Sequence, residues 1–183
     1  MFRRSLVVSS AIALVSLAAC AGPAEDVEPE PGISEDALVG GCGPDRMIDN
    51  APPDRKAILQ RAAKWVRDPV PYSQTAYKDG HRTDCSGFVS MAWGRSDFTT
   101  HQVPPRTTST SIAREIPWDD LLPGDAVARG PTLLSSDGHI MLYAGTDYLG
   151  FSCFWEQTSP GGTSISSIIK ASLTGDYVAI RKR

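Results

Sequence analysis

The sequence predicts an α+β fold, with N-terminal helices packed on a small antiparallel sheet of about five strands. Two observations carry this expectation. Between Asp54 and Gly94 the apolar residues recur with helical period in two stretches. From Ala126 onward the apolar runs are short and separated by turn signals such as Gly145-Thr146-Asp147 and Pro160-Gly161-Gly162. Helices first and short strands afterwards is the α+β order. The folded part is read as residues 54–183, about 130 residues of the 183 and enough for a core of its own. No internal repeat is visible.

Residues 1–19 read as a signal peptide rather than as fold. Arg3 and Arg4 give a basic start, and Leu6 to Leu17 is apolar but short for a bilayer span. Leu17-Ala18-Ala19-Cys20 closes it. These residues resemble the lipobox of bacterial lipoproteins, which implies cleavage before Cys20 and acylation of its sulfur. The protein is thus expected to be exported and lipid-anchored to the cell envelope (the outer membrane if the cell is Gram-negative), with a soluble domain in periplasm or cell wall. The alternative is an ordinary signal peptide cut near Ala19 or Ala21. Losing residues 1–19 removes two Arg and no acid, taking the formal charge from −3 to −5. A mildly acidic chain has no electrostatic help toward nucleic acid.

Residues 20–53 read as an acidic, Pro-rich linker. Pro23, Pro29, Pro31, Pro44, Pro52 and Pro53 are spread through it, and the acids Glu25 to Asp36 precede the first base, Arg46. Such a composition buries too little apolar surface to order itself.

Asp54 reads as the cap of a helix to about Val66, with Ile58, Ala62, Trp65 and Val66 on one face. Pro69 and Pro71 end it. Residues 72–83 read as polar and irregular. The next helix is the centre of the chain. Asp84 stands at an N-cap, Phe88, Val89, Ala92 and Trp93 share a face, and Gly94 is the stop. Cys85 falls on the first turn, beside unpaired N–H groups and the positive end of the helix dipole, which favours a thiolate nucleophile. The alternative is an inert core cysteine. Ser109 to Glu115 reads as a short helix. Strands are expected at Ala126–Ala128, His139–Ala144, Gly150–Glu156, Ser164–Ile169 and Asp176–Arg181.

A cysteine hydrolase needs an imidazole to take and return a proton and a polar group to orient that ring. The chain has three histidines: His81 and His101 in polar loops, and His139 at the start of a strand. If the next strand alternates, Ser152, Phe154 and Glu156 share one face and Cys153 the other. Glu156 is then the orienter, with Gln157 the alternative if the strand phase shifts by one. Cys42 and Cys153 are left as a disulfide or as two thiols. Three scattered histidines and no Cys-x-x-Cys give no metal constellation and no cofactor motif.

Three segments resemble, in order, motifs of the NlpC/P60 family of papain-like cysteine peptidases. They are Thr83-Asp84-Cys85-Ser86-Gly87-Phe88-Val89, Leu122-Pro123-Gly124-Asp125, and Gly138-His139-Ile140-Met141-Leu142-Tyr143-Ala144-Gly145. Pro105-Arg106-Thr107 and Tyr177-Val178-Ala179-Ile180-Arg181 are similar to further family features. The resemblance implies a papain-like fold and a monomeric cell-wall enzyme that cleaves amide bonds in peptidoglycan stem peptides. It implies Cys85 as nucleophile, His139 as base, Glu156 as third polar residue and Tyr72 as a tyrosine near the sulfur. Asp84 and Ser86 flank the nucleophile as substrate-side residues. The family often has Trp-Gly-Gly after the tyrosine, where this chain has Ser73-Gln74-Thr75; Gln74 is a candidate oxyanion donor there. The spacing from His139 to Glu156 resembles that of CHAP amidases, which often use Cys-His-Glu. N-acetylmuramoyl-L-alanine amidase activity is therefore the alternative, and a catalytically silent wall-binding lipoprotein a second.

Overall fold

The computed structural model describes residues 41–108, 110–130 and 138–183. The signal-like stretch, Cys20 and the acidic linker through residue 40 lie outside the described residues. The protein is α+β. Three helices are described: α1 (Pro44–Asn50), α2 (Pro53–Arg67) and α3 (Cys85–Trp93). A two-stranded hairpin joins β1 (Tyr77–Lys78) to β2 (His81–Arg82). The main sheet holds β3 (Ala113–Glu115), β4 (Ala126–Arg129), β5 (His139–Thr146), β6 (Ser152–Thr158), β7 (Gly162–Ile168) and β8 (Val178–Lys182). Its order is β3-β8-β4-β5-β6-β7, with every neighbouring pair antiparallel.

Four expectations change. The sheet has six strands rather than about five. The added strand is β3, in the stretch read as a helix from Ser109 to Glu115. Its residues Ala113 to Glu115 pair with Lys182 to Ile180 of β8. This long-range pairing outweighs local helical preference. Within the stretch to residue 53 expected as linker, Pro44–Asn50 forms a helix. Pro44 at N1 and Asp45 in the first turn start α1, and Met47 buries itself at 2% exposure. Asp54 is not the cap of α2; Pro52 is, with Pro53 at the first helical position and Asp54 in the first turn. Residues 72–83 are not wholly irregular, because the Asp79-Gly80 turn, with positive φ at both residues, closes the β1–β2 hairpin.

The sheet buries both faces. Ala126, Ala128, Ile140, Leu142, Trp155 and Ile180 join the helix residues Leu59, Ala62, Phe88, Val89 and Trp93 in one cluster. Val127, Met141, Tyr143, Phe154 and Ala179 meet Ile116 and Leu173 in a second. Helix α3 is buried along its whole length. It therefore packs as a core element, and its ends are fixed rather than frayed. Asp84 caps its start, and Gly94, in the left-handed region at φ 62°, ends it.

Two of the quoted motifs meet in one buried cluster. Asp125, fully buried, accepts from Arg55 Nη1 at 2.9 Å and from Arg181 Nη2 at 2.7 Å. Its Oδ2 also takes the Leu122 N–H at 2.9 Å. The turn before β4 is thereby tied to α2 and to β8. Cys42 and Cys153 are bonded as a disulfide, both residues buried, which ties the segment before α1 to β6.

Candidate active site

Cys85 sits where the sequence places it, on the first turn of α3, at 7% exposure. The start of this helix is built tightly. Asp84 Oδ1 accepts the Gly87 N–H at 2.6 Å and the Ser86 hydroxyl at 3.0 Å, and its Oδ2 accepts Arg82 Nε at 2.8 Å. Strand β2 crosses directly over the first turn. A Cβ on Gly87 would stand 2.0 Å from the Arg82 carbonyl oxygen, so only glycine fits.

His139 opens β5, and its position is equally constrained. A Cβ on the preceding Gly138 would lie 2.6 Å from Thr100 Oγ1 and 2.7 Å from the Arg129 carbonyl oxygen. The imidazole lies within electrostatic reach of the Cys85 side chain, which acts to raise its pKa. Its Nε2 lies 2.7 Å from Glu156 Oε2, which leaves Nδ1 for the sulfur. Burial alone would push the His139 pKa down. The hydrogen bonds and charges of Cys85 and Glu156 outweigh it and push the value up to about 9.

Glu156 is buried at 6% exposure. Its Oε1 accepts a short hydrogen bond from the Ser166 hydroxyl. Desolvation would raise the carboxyl's pKa. The hydrogen bonds from His139 and Ser166 hold it below the usual carboxylate range instead. Gln157 points to the opposite sheet face, fully buried, and donates to the Val70 carbonyl at 3.2 Å and to Thr163 Oγ1 at 3.1 Å.

Cys85 opens onto a cleft of about 350 Å³. Tyr72, Gln74, Arg82, Asp84, Ser86 and His101 border it. Gln74 Nε2 lies 3.5 Å from the Tyr72 hydroxyl. Asp84 and Ser86 spend their hydrogen bonds on the helix cap and on Arg82. His81 is held by Asp97 at 2.6 Å on the hairpin, away from the cysteine pair. The structure thus brings together Cys85, His139 and Glu156, with Tyr72 and Gln74 at the rim.

Sequence reasoning missed Arg82 and Ser166. Arg82 binds Asp84, Ser86 and the Phe98 carbonyl, joining the hairpin to the helix start. Ser166 carried a weak signal: it lies on the strand expected next after the Glu156 strand. Among the described residues, the one group with metal-ligand spacing is Cys42, Asp147 and Cys153. Its two sulfurs are bonded to each other, so it offers no thiolate to an ion. No protein-family model matches the chain, and no curated protein matches it.

Proposed function

We propose that the chain is a cysteine hydrolase that cleaves amide bonds in peptidoglycan stem peptides, working from a lipid anchor at Cys20. The observation that carries the chemistry is the Cys85–His139–Glu156 constellation, whose cysteine lines a cleft. The substrate class rests on the resemblance of the Asp84-Cys85-Ser86-Gly87 and Gly138-His139 segments to NlpC/P60 enzymes.

In the proposed reaction the Cys85 proton has already passed to His139, which stands as imidazolium, and the sulfur attacks the amide carbonyl. The oxyanion that forms is met by the Cys85 N–H. This is a first-turn donor with no acceptor inside the helix. Gln74 lies at the rim as a second donor. The imidazolium, held by Glu156, then protonates the leaving amine as the C–N bond breaks, leaving a thioester on Cys85. A water gives its proton to His139 and attacks the thioester, which releases the acid and leaves the sulfur beside the imidazolium as at the start.

Among the described residues no helix is long and apolar enough to cross a membrane. Membrane attachment in this reading comes from Cys20 alone. Fractionation of cells carrying Cys20→Ala tests it: release of the protein supports the anchor, and unchanged retention rejects it.

The carboxylate third residue also favours a second reading, N-acetylmuramoyl-L-alanine amidase, because CHAP-type sites often use Cys-His-Glu. One digest of purified peptidoglycan by wild type and by Cys85→Ala, read by mass spectrometry, decides. New stem-peptide fragments support the endopeptidase, and intact peptides freed from glycan support the amidase. No release by a folded wild type whose Cys85 labels normally rejects both. Cleavage by a folded Cys85→Ala rejects the nucleophile.

A further inference from the structure

We propose that Ser166 is a positioning residue for the site, holding the Glu156 carboxylate in the orientation that His139 needs. The role rests on the reading of Cys85, His139 and Glu156 as a hydrolytic triad. Three observations carry it.

The first is connectivity. The two oxygens of Glu156 have different partners: Oε2 meets His139 and Oε1 meets Ser166. The terminal torsion of a glutamate is soft, so a carboxylate held at one oxygen swings. Held at both, it has a single plane, and that plane aims Oε2 at the imidazole.

The second is the sheet. Strand β7 pairs with β6 in a register that sets Phe154 opposite Ser166 and Glu156 opposite Ser164. Ser166 is therefore a diagonal neighbour of Glu156 on the same face, within reach of a short side chain. β7 is the edge strand on this side of the sheet, beyond β6.

The third is the surroundings. Among the described residues two groups act on Glu156, His139 from β5 and Ser166 from β7, and the Glu156 charge in turn reaches Tyr177 ahead of β8. Arg129 of β4 stands 5.7 Å from the Tyr177 ring centroid and closes this side. Burial pushes the Tyr177 phenol up, Arg129 opposes that, and the Glu156 and Asp176 charges add to it. Ser166 and His139 are thus the hydrogen-bond donors to Glu156 among the described residues.

The test reads the network without needing a substrate. In a chain carrying Cys20→Ala, the other two cysteines are disulfide-bonded, so iodoacetamide reports on Cys85. Ser166→Ala removes a donor from the carboxylate, which then takes a proton more readily. The acid limb of Cys85 alkylation should move up by about half a pH unit to one unit. Hydrolysis should lose about 10-fold in kcat with KM little changed. Ser166→Thr keeps the hydroxyl and should restore both. In a Glu156→Ala background, Ser166→Ala should add nothing further.

An unshifted acid limb in Ser166→Ala would overturn the role. So would equal damage by Ala and Thr, or a Ser166 effect that survives without Glu156. If the alkylation shift appears while no variant cuts peptidoglycan, the positioning role stands and only the substrate reading falls.

Discussion

Glu156 and Gln157 are neighbours on one strand, yet only Glu156 reaches His139. The Glu156 carboxylate lies 2.7 Å from His139 Nε2, while the Gln157 amide is bonded to Val70 and Thr163 on the far face. Strand alternation makes this an either-or choice, because a slip of one residue would exchange the two side chains.

Glu156→Gln should therefore lower hydrolysis moderately, by about 10-fold, and Glu156→Ala by about 100-fold. The amide still orients the ring but supplies no charge to the imidazolium; alanine does neither. Both should move the Cys85 alkylation profile to higher pH. Gln157→Ala is the control: it breaks packing under Val70 and should cost stability, with activity per folded molecule retained. Steady-state kinetics beside urea denaturation separates the two effects. The reverse pattern, with Gln157→Ala inactive and both Glu156 variants normal, would remove Glu156 from the site.

The His139 shift fixes the sign of a pH dependence. Its pKa is raised in the fold, from 6.5 to about 9. The stability it contributes is therefore complete below about pH 6.5 and is lost as pH rises through about 9. Glu156 acts in the other direction. Its lowered value contributes stability above about pH 4.5, lost as pH falls through the folded value. The urea midpoint gap between wild type and His139→Gln should thus narrow on going from about pH 6 to about pH 10. Hydrolysis should fall above about pH 9 as the imidazolium loses the proton destined for the leaving amine. A midpoint gap that stays constant across that range would show that the ring is not held as imidazolium.

The core of this site was legible in the sequence because it depends on local signals. Asp84 and Gly94 bracket a helix with an apolar face, and that bracket alone puts Cys85 on a first turn. The alternation of β6 assigns Glu156 and Cys153 to opposite faces, as found. Ser166 and Arg82 were not legible, since their roles come from strand pairing and from a hairpin folded over a helix. The helix at Pro44 was hidden for a related reason. Its residues are mostly polar and stand between prolines, and it is held by Met47 burial and by the Cys42–Cys153 bond, whose partner lies 111 residues away. β3 likewise exists only through its pairing with β8.

The glycine in Asp84-Cys85-Ser86-Gly87 makes a sharp prediction. The Arg82 carbonyl oxygen lies 2.0 Å from the position that a Cβ would take on Gly87. Gly87→Ala cannot be absorbed by a rotamer change, because the obstacle is backbone. The hairpin would have to lift off the helix, taking Arg82 from Asp84 and Ser86. The substitution should cost about 3 kcal/mol or more and displace Cys85 from His139. Gly80→Ala is a useful contrast. It sits in the same hairpin with open space around it, but at φ 81°, so its cost is backbone strain alone. If Gly87→Ala proved the milder of the two in thermal denaturation, the close crossing of β2 over α3 would be wrong.

The disulfide should matter for stability and not for chemistry. It closes a span of 111 residues that contains the three described helices and strands β3, β4 and β5 of the main sheet. Cross-linking so long a loop restricts the unfolded chain strongly, and its loss costs about 2–5 kcal/mol. The bond lies on the helix side of β6, and Glu156 lies on the other. Trp155 adds a second tie on the same side, donating its indole N–H to the Cys42 carbonyl at 3.0 Å. The double variant Cys42→Ala/Cys153→Ala should therefore unfold at lower urea, while Cys85 alkylation and hydrolysis per folded molecule match wild type. A reducing agent separates the bond from the side chains: it should lower the midpoint of wild type and leave the double variant unmoved. If the double variant kept full stability, the segment before α1 would be held by packing alone. If instead it lost activity while folded, the bond would have to act on the site through β6.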